Sequence, residues 1–127
     1  MHGKLYSVGT KKSFNDSVVG VLKAVEKQGW VVFQVYDLSE RLLAKGFSHP
    51  PLKIIEICSG RHASRVLDKD IFASVCLPCR INVAEEDGKT RIFAMLPTVL
   101  PEFFEKVHVE DVSEAERELR EMIDASV

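Results

Sequence analysis

The chain is predicted to fold as a single α+β domain over residues 1–127. Its sheet is expected to be mainly antiparallel, of about five strands, with helices packed on one face. Three observations predict this. Short β-branched and aromatic runs are bounded by turn residues, amphipathic stretches with capping residues separate those runs, and two consecutive alternating runs meet at Asp87-Gly88. Strands joined by single helices and a hairpin, without a series of βαβ units, favour an antiparallel sheet. A length of 127 residues, 46% of them hydrophobic, is enough to bury one core without staples.

Residues 4–9 read as a first strand. Ser13, with Asp16 three residues on, opens a helix whose Phe14, Val18, Val21, Leu22 and Val25 fall on one side. Asn15, Lys23, Glu26 and Lys27 fall on the wet side, and Gly29 supplies the left-handed stop. Trp30 to Tyr36 is a strand by composition. Asp37 and Glu40 then cap a short helix through Leu42 and Leu43, ending at Gly46. His49-Pro50-Pro51 is a loop, because two prolines interrupt both helix and ladder. Leu52 to Cys58 is the next strand. Ser59 caps a helix with Ala63, Val66 and Leu67 inward and Arg61, Arg65 and Lys69 outward. The runs 79–86 and 89–96 form a hairpin around Asp87-Gly88, a pair suited to positive φ. Pro101 fits the first turn of a short helix carrying Phe103 and Phe104, which, with Trp30, are expected in the core. Ser113 with Glu116 is expected to cap a last helix with Val112, Ala115, Leu119, Met122 and Ile123 on its apolar stripe.

Composition excludes several classes of function. A net charge of −2 and a pI near 6.1 give no general attraction for nucleic acid or anionic membrane. The N-terminal stretch has no apolar signal-peptide core, and no apolar run approaches the roughly 20 residues that span a bilayer. Three cysteines are too few for a disulfide framework, so a cytoplasmic location is expected. No catalytic Ser-His-Asp pattern, phosphate-binding loop or dinucleotide turn is present, no cofactor is expected, and no enzyme class is implied.

The chemistry that remains lies in the cysteines. Cys76 and Cys79 form C-x-x-C in "SVCLPCR", but a thioredoxin-like dithiol needs a helix after its first cysteine, and here the strand-like 80–84 follows. A tetrahedral zinc set of Cys58, His62, Cys76 and Cys79 has legitimate ligand types. Against it, the chain is large enough for a core, and His62 reads as a solvent-facing helix residue. The third pairing is Cys58 with Cys79, one ending a strand and the other opening the next. Cys58 precedes a helix N-terminus with Arg61 and His62 close by, surroundings that lower a thiol pKa. Glu56 shares a strand face with Cys58 by alternation and is a candidate proton acceptor. The plain alternative is that the cysteines are small buried hydrophobes. Arg61, Arg65 and Lys69, and the acidic Glu114, Glu116, Glu118 and Glu121, read as solvated helix faces.

The segments "SFNDSVVGVLKAVEKQGWVVFQVYDLSERLLAKGF", "LKIIEICSGRHASRVLDKD" and "LPCRINVAEEDGKTRIFAM" together resemble the DUF302 family. The matching positions are Asp37, Lys45, Gly46, Cys58, Ala63, Leu67, Leu77, Pro78 and Cys79. The resemblance implies a compact α+β fold that pairs as a homodimer and carries no established activity. It also implies cysteines at positions 58 and 79, with a plain aliphatic where Cys76 stands. Two classes of function follow as expectations. One is a small-ligand or thiol site at Cys58 and Cys79, with Glu56, Arg61 and His62 in support, serving redox or sulfur relay or soft-metal binding. The other is a non-catalytic dimeric interaction module with structural cysteines.

Overall fold

The computed structural model describes residues 3–127. Five strands form one sheet: β1 (Leu5–Thr10), β2 (Val31–Asp37), β3 (Leu52–Cys58), β4 (Cys79–Glu86) and β5 (Lys89–Met95). Their order across the sheet is β1-β5-β4-β3-β2, and every neighbouring pair is antiparallel. The helices are α1 (Phe14–Gln28), α2 (Leu38–Leu43), α3 (Gly60–Lys69), α4 (Leu100–Phe103) and α5 (Val109–Ser126). Two 3₁₀ turns, Ile71–Cys76 and Pro97–Val99, complete the chain. The α+β expectation holds. No helix among the described residues is long and apolar enough to cross a membrane.

Local chemistry sets most of the boundaries. The Ser13 hydroxyl accepts the Asp16 N–H at 3.1 Å and starts α1, and Gly29 ends it at φ 86°, a conformation that a side chain disfavours. The Asp37 carboxylate accepts the Glu40 N–H at 3.0 Å to start α2. In the hairpin, Asp87 and Gly88 take φ of 53° and 76°, both positive as the turn requires.

Strand alternation builds the core. Ile55 and Ile57 of β3, Ile81 and Val83 of β4, and Ile92 and Ala94 of β5 point to one face. There they meet Val18, Val21 and Val25 of α1 and Ala115, Leu119, Met122 and Ile123 of α5. Each such side chain stabilises the fold by roughly 1.5–3 kcal/mol when fully buried. A second cluster of Val66, Ala73, Leu100, Val107 and Val112 joins α3, the first 3₁₀ turn, α4 and the start of α5. The alternate residues, among them Ser7, Phe93, Asn82, Glu56 and Tyr36, share the opposite face by register. Val32 is paired with Ile57 and packs on the core, so it belongs to the covered face.

Three expectations are corrected. The last helix begins at Val109, and its cap comes from the Asp111 carboxylate, which accepts the His108 N–H at 2.9 Å. Ser113 therefore lies inside the helix, and Glu116 instead accepts the Thr98 N–H at 3.3 Å. Phe103 is 72% exposed, whereas Phe104 packs on the second cluster, because a one-turn helix sends neighbouring side chains to different sides. In α3 the buried side chains are His62 and Val66, four residues apart, and Leu67 is partly exposed.

Candidate functional site

The first two strands of the site fix the cysteines. Ile57 pairs with Cys79 across the β3–β4 ladder, so Cys58 and Cys79 are diagonal neighbours at one end of the sheet. Both line a cavity of about 20 Å³ walled by Trp30, His62, Val66 and Leu77. That space is about one water molecule in size, and its mostly apolar walls offer a water few partners.

Burial dominates the chemistry of both thiols. It pushes Cys58 above the ordinary thiol range. It pushes Cys79 up to about 12, with the neighbouring Cys58 adding to the shift. Burial therefore reverses the expected lowering of the Cys58 pKa, and the two features expected to lower it are engaged elsewhere. The Ser59 hydroxyl accepts the His62 N–H at 3.5 Å, so a first-turn donor of α3 is already capped. Arg61 turns to α5, with guanidinium nitrogens 3.2 Å from Glu114 Oε2 and 3.5 Å from Glu118 Oε2.

His62 is 6% exposed and does not face solvent. Its Nε2 lies 3.1 Å from Glu118 Oε1, and its ring centroid is 5.6 Å from that of Trp30. The Trp30 indole N–H donates to the same Glu118 oxygen at 2.8 Å. Burial works against the Glu118 carboxylate, but the hydrogen bonds from Trp30 and His62 and the nearby charges outweigh it and lower its pKa. Sequence reading placed Glu118 on a solvated face. The missed signal is its spacing: Glu118 is three residues after Ala115 and four before Met122, on the buried stripe itself.

Among the described residues, His62, Glu114 and Glu118 are the group whose ligand atoms lie within 4.8 Å of one another. Protein cations already occupy that charge: Arg61 pairs with both carboxylates, and Arg117 lies 3.7 Å from Glu118 and 3.9 Å from Glu114. The set Cys58, His62, Cys76 and Cys79 is not assembled into such a group. Glu56 is also apart from the cysteine cavity. It accepts the Tyr36 hydroxyl at 2.9 Å and an Arg80 N–H at 3.0 Å.

A second hollow adjoins the first. A crevice of about 260 Å³ at the start of β4 and the end of β5 has Leu5, Cys79, Arg80, Asn82, Phe93 and Met95 in its lining, together with Cys76 and Pro78. Cys79 is a wall of both hollows. A wider groove of about 1070 Å³ at the hairpin end is edged by Lys11, Lys12, Lys89 and Arg91. It touches no cysteine, and two of its cations are engaged: Lys12 with the Ser126 carbonyl at 3.3 Å and Arg91 with Ser7 Oγ at 3.0 Å.

The family model described as a domain of unknown function, DUF302, matches residues 6–126. The chain belongs to the DUF302 family. It is similar to the solved structure of an uncharacterized conserved DUF302 protein from Bacillus stearothermophilus, with a TM-score of 0.90 and 25% identity. That alignment covers 99% of this chain and 100% of the other. No curated protein matches the chain. The family assignment thus agrees with the resemblance read from "LKIIEICSGRHASRVLDKD" and its neighbours, and it brings no activity with it.

Proposed function

We propose that this DUF302 protein is a small-ligand-binding module that works as a cytosolic homodimer, taking its ligand at the end of the sheet where Cys58 and Cys79 meet. The observation that carries the reading is the crevice beside Cys79, mainly apolar and edged by Arg80 and Asn82. Concave, mostly apolar hollows with a few convergent polar groups are the usual form of a small-molecule site. Binding is favoured over thiol catalysis because burial keeps both cysteines protonated near neutral pH. Three free cysteines suit a reducing compartment.

Dimerisation is supported by exposed apolar side chains near the same end. Phe72 and Val75, three residues apart on a 3₁₀ turn, are 74% and 76% exposed, and Phe103 beside Phe72 is 72% exposed. Apolar patches beyond a few hundred Å² mark interaction surfaces. Both signs of charge edge the groove that Phe72 and Phe103 line, through Asp70, Glu105 and Lys106, and such a mixed edge can pair with its own copy across a two-fold axis.

Two measurements test the reading. Light scattering at tens of micromolar is expected to return a dimer, and Phe72→Glu with Val75→Glu a folded monomer; a monomeric parent protein removes the dimer. For the ligand, methyl NMR of Met95 and Leu5 is followed against a set of small aromatic and aliphatic compounds, and a spectrum unmoved throughout removes the site. A second reading, a redox or soft-metal thiol pair, rests on Cys58 and Cys79 lining one cavity. Intact mass and metal content of anaerobically purified protein test it.

A further inference from the structure

The geometry points to a specific chemistry for the ligand of the Cys79 crevice: a small neutral molecule with an apolar, preferably aromatic, body and one carbonyl or hydroxyl oxygen. This inference rests on the ligand-binding reading above and narrows it.

Size comes first. About 260 Å³ lies just below the roughly 300 Å³ at which ordinary ligand pockets begin, so the occupant is of single-ring size. The walls then select the body. Phe93 and Met95 stand on the same strand face, two residues apart, with Leu5 paired opposite Met95. A thioether and an aromatic ring favour an aromatic partner through sulfur–ring and edge-to-face contacts.

Charge selects the head group. Two polar side chains reach the crevice, Arg80 and Asn82, successive residues on the uncovered face of β4. The Arg80 guanidinium is neutralised by Glu56, whose Oε2 is 3.0 Å away, and the Tyr36 hydroxyl holds the other carboxylate oxygen. The Arg80–Glu56 pair, taken together, thus presents N–H donors with no net charge, while the guanidinium itself stays ionised. An ionised head group would leave water for a neutral pair with a carboxylate behind it, a desolvation cost with no countercharge to offset it. A neutral oxygen accepts from Arg80 without that cost. The Asn82 carboxamide, half-buried and in no hydrogen bond among the described residues, can donate to or accept from the same head.

Benzamide and benzoate test this directly, since they share a shape and differ in charge. Binding is followed by titration of methyl and amide NMR shifts on the full chain near neutral pH. Benzamide is expected to bind at least about tenfold more tightly than benzoate, shifting Ala94 and Met95. Glu56→Gln, which unmasks the Arg80 charge, is expected to reverse the preference. Asn82→Leu is expected to weaken benzamide about tenfold while leaving the amide spectrum otherwise that of the parent fold. If benzoate binds equally well or better in the parent protein, the neutral-ligand inference fails and the binding site stands. A preference for benzamide that Glu56→Gln leaves unchanged also overturns it, since the Arg80–Glu56 pair would not be its source. If neither compound moves the crevice signals, the inference fails, and the reading beneath it fails with it only when the wider set of aromatic and aliphatic compounds also leaves them unmoved.

Discussion

Trp30 and Glu118 are 88 residues apart in the chain and joined by a buried hydrogen bond of 2.8 Å from the indole N–H to the carboxylate. That bond ties the turn between α1 and β2 to the middle of α5. The same carboxylate oxygen meets His62 of α3, so three elements converge on one acceptor. A buried carboxylate is tolerated only when its lone pairs are filled; here the indole, the imidazole and the Arg61 guanidinium fill them, and Arg117 adds a charge 3.7 Å away.

Glu118→Ala is therefore expected to destabilise the fold by about 3 kcal/mol, because it strands the Trp30 N–H and removes the partner of a buried cluster. Equilibrium urea unfolding measures it. A loss below about 1 kcal/mol would mean that the cluster is not closed to water.

The same carboxyl sets an acid limb. The folded pKa of Glu118 lies below its usual value, and so does that of Asp111, chiefly through the hydrogen bond from the His108 N–H. A group with a depressed folded pKa contributes stability above its unfolded pKa, near 4, and loses it as pH falls through the folded value. Stability is expected to be flat from pH 7 down to about 5 and to fall steeply below 4. Denaturation midpoints across that range should show a shallower acid limb for Glu118→Gln than for the parent chain.

What the sequence made legible follows from how local the causes are. Ser13, Gly29, Asp37 and the Asp87-Gly88 turn act within three or four residues, and each marks the boundary its chemistry predicts. The start of α5 misled because S-x-x-E at Ser113 is also an ordinary mid-helix sequence, while the working cap pairs Asp111 with His108. The Cys58–Cys79 proximity was readable, since one ends a strand and the other opens its ladder neighbour. Its electrostatics were not. Whether Arg61 serves a thiolate or a carboxylate depends on α5, which lies some fifty residues along the chain. His62 and Glu118 were assigned to water because each is polar. Yet each sits on the apolar stripe of its helix, and two polar residues on two buried stripes are the signature of a pair.

The hairpin gives a local test. Gly88 has φ 76° and open space where a Cβ would stand, so the cost of a side chain there is conformational rather than steric. Gly88→Val is expected to lower stability by about 1 kcal/mol or more, and Gly88→Asn by clearly less, since asparagine tolerates the left-handed region. Thermal melting of both variants measures the difference. Equal midpoints for the two would place the turn in another conformation.

The cysteines give the last test. Burial raises Cys58 and raises Cys79 further, so alkylation of the native protein near neutral pH is expected to be slow at both and slower at Cys79. The Cys58 rate should climb about tenfold per pH unit through the neutral range, as thiolate grows. Cys79 is half-buried like Cys58, but its pKa is pushed up to about 12, so its rate should be far lower still for want of thiolate. Arg61→Ala carries the sharpest consequence. If the guanidinium served Cys58, its removal would slow alkylation; because it pairs with Glu114 and Glu118, the rate is expected to stay within about twofold of the parent. Cys76→Val, which replaces a small hydrophobe with another beside the second core cluster, should leave both rates and the melting midpoint nearly unchanged. Rate-resolved mass spectrometry of the parent chain, the Cys variants and Arg61→Ala reads all of these together. A fall of tenfold in the Arg61→Ala rate would show that Cys58 is an activated thiolate in solution and would return the thiol-chemistry reading to the front.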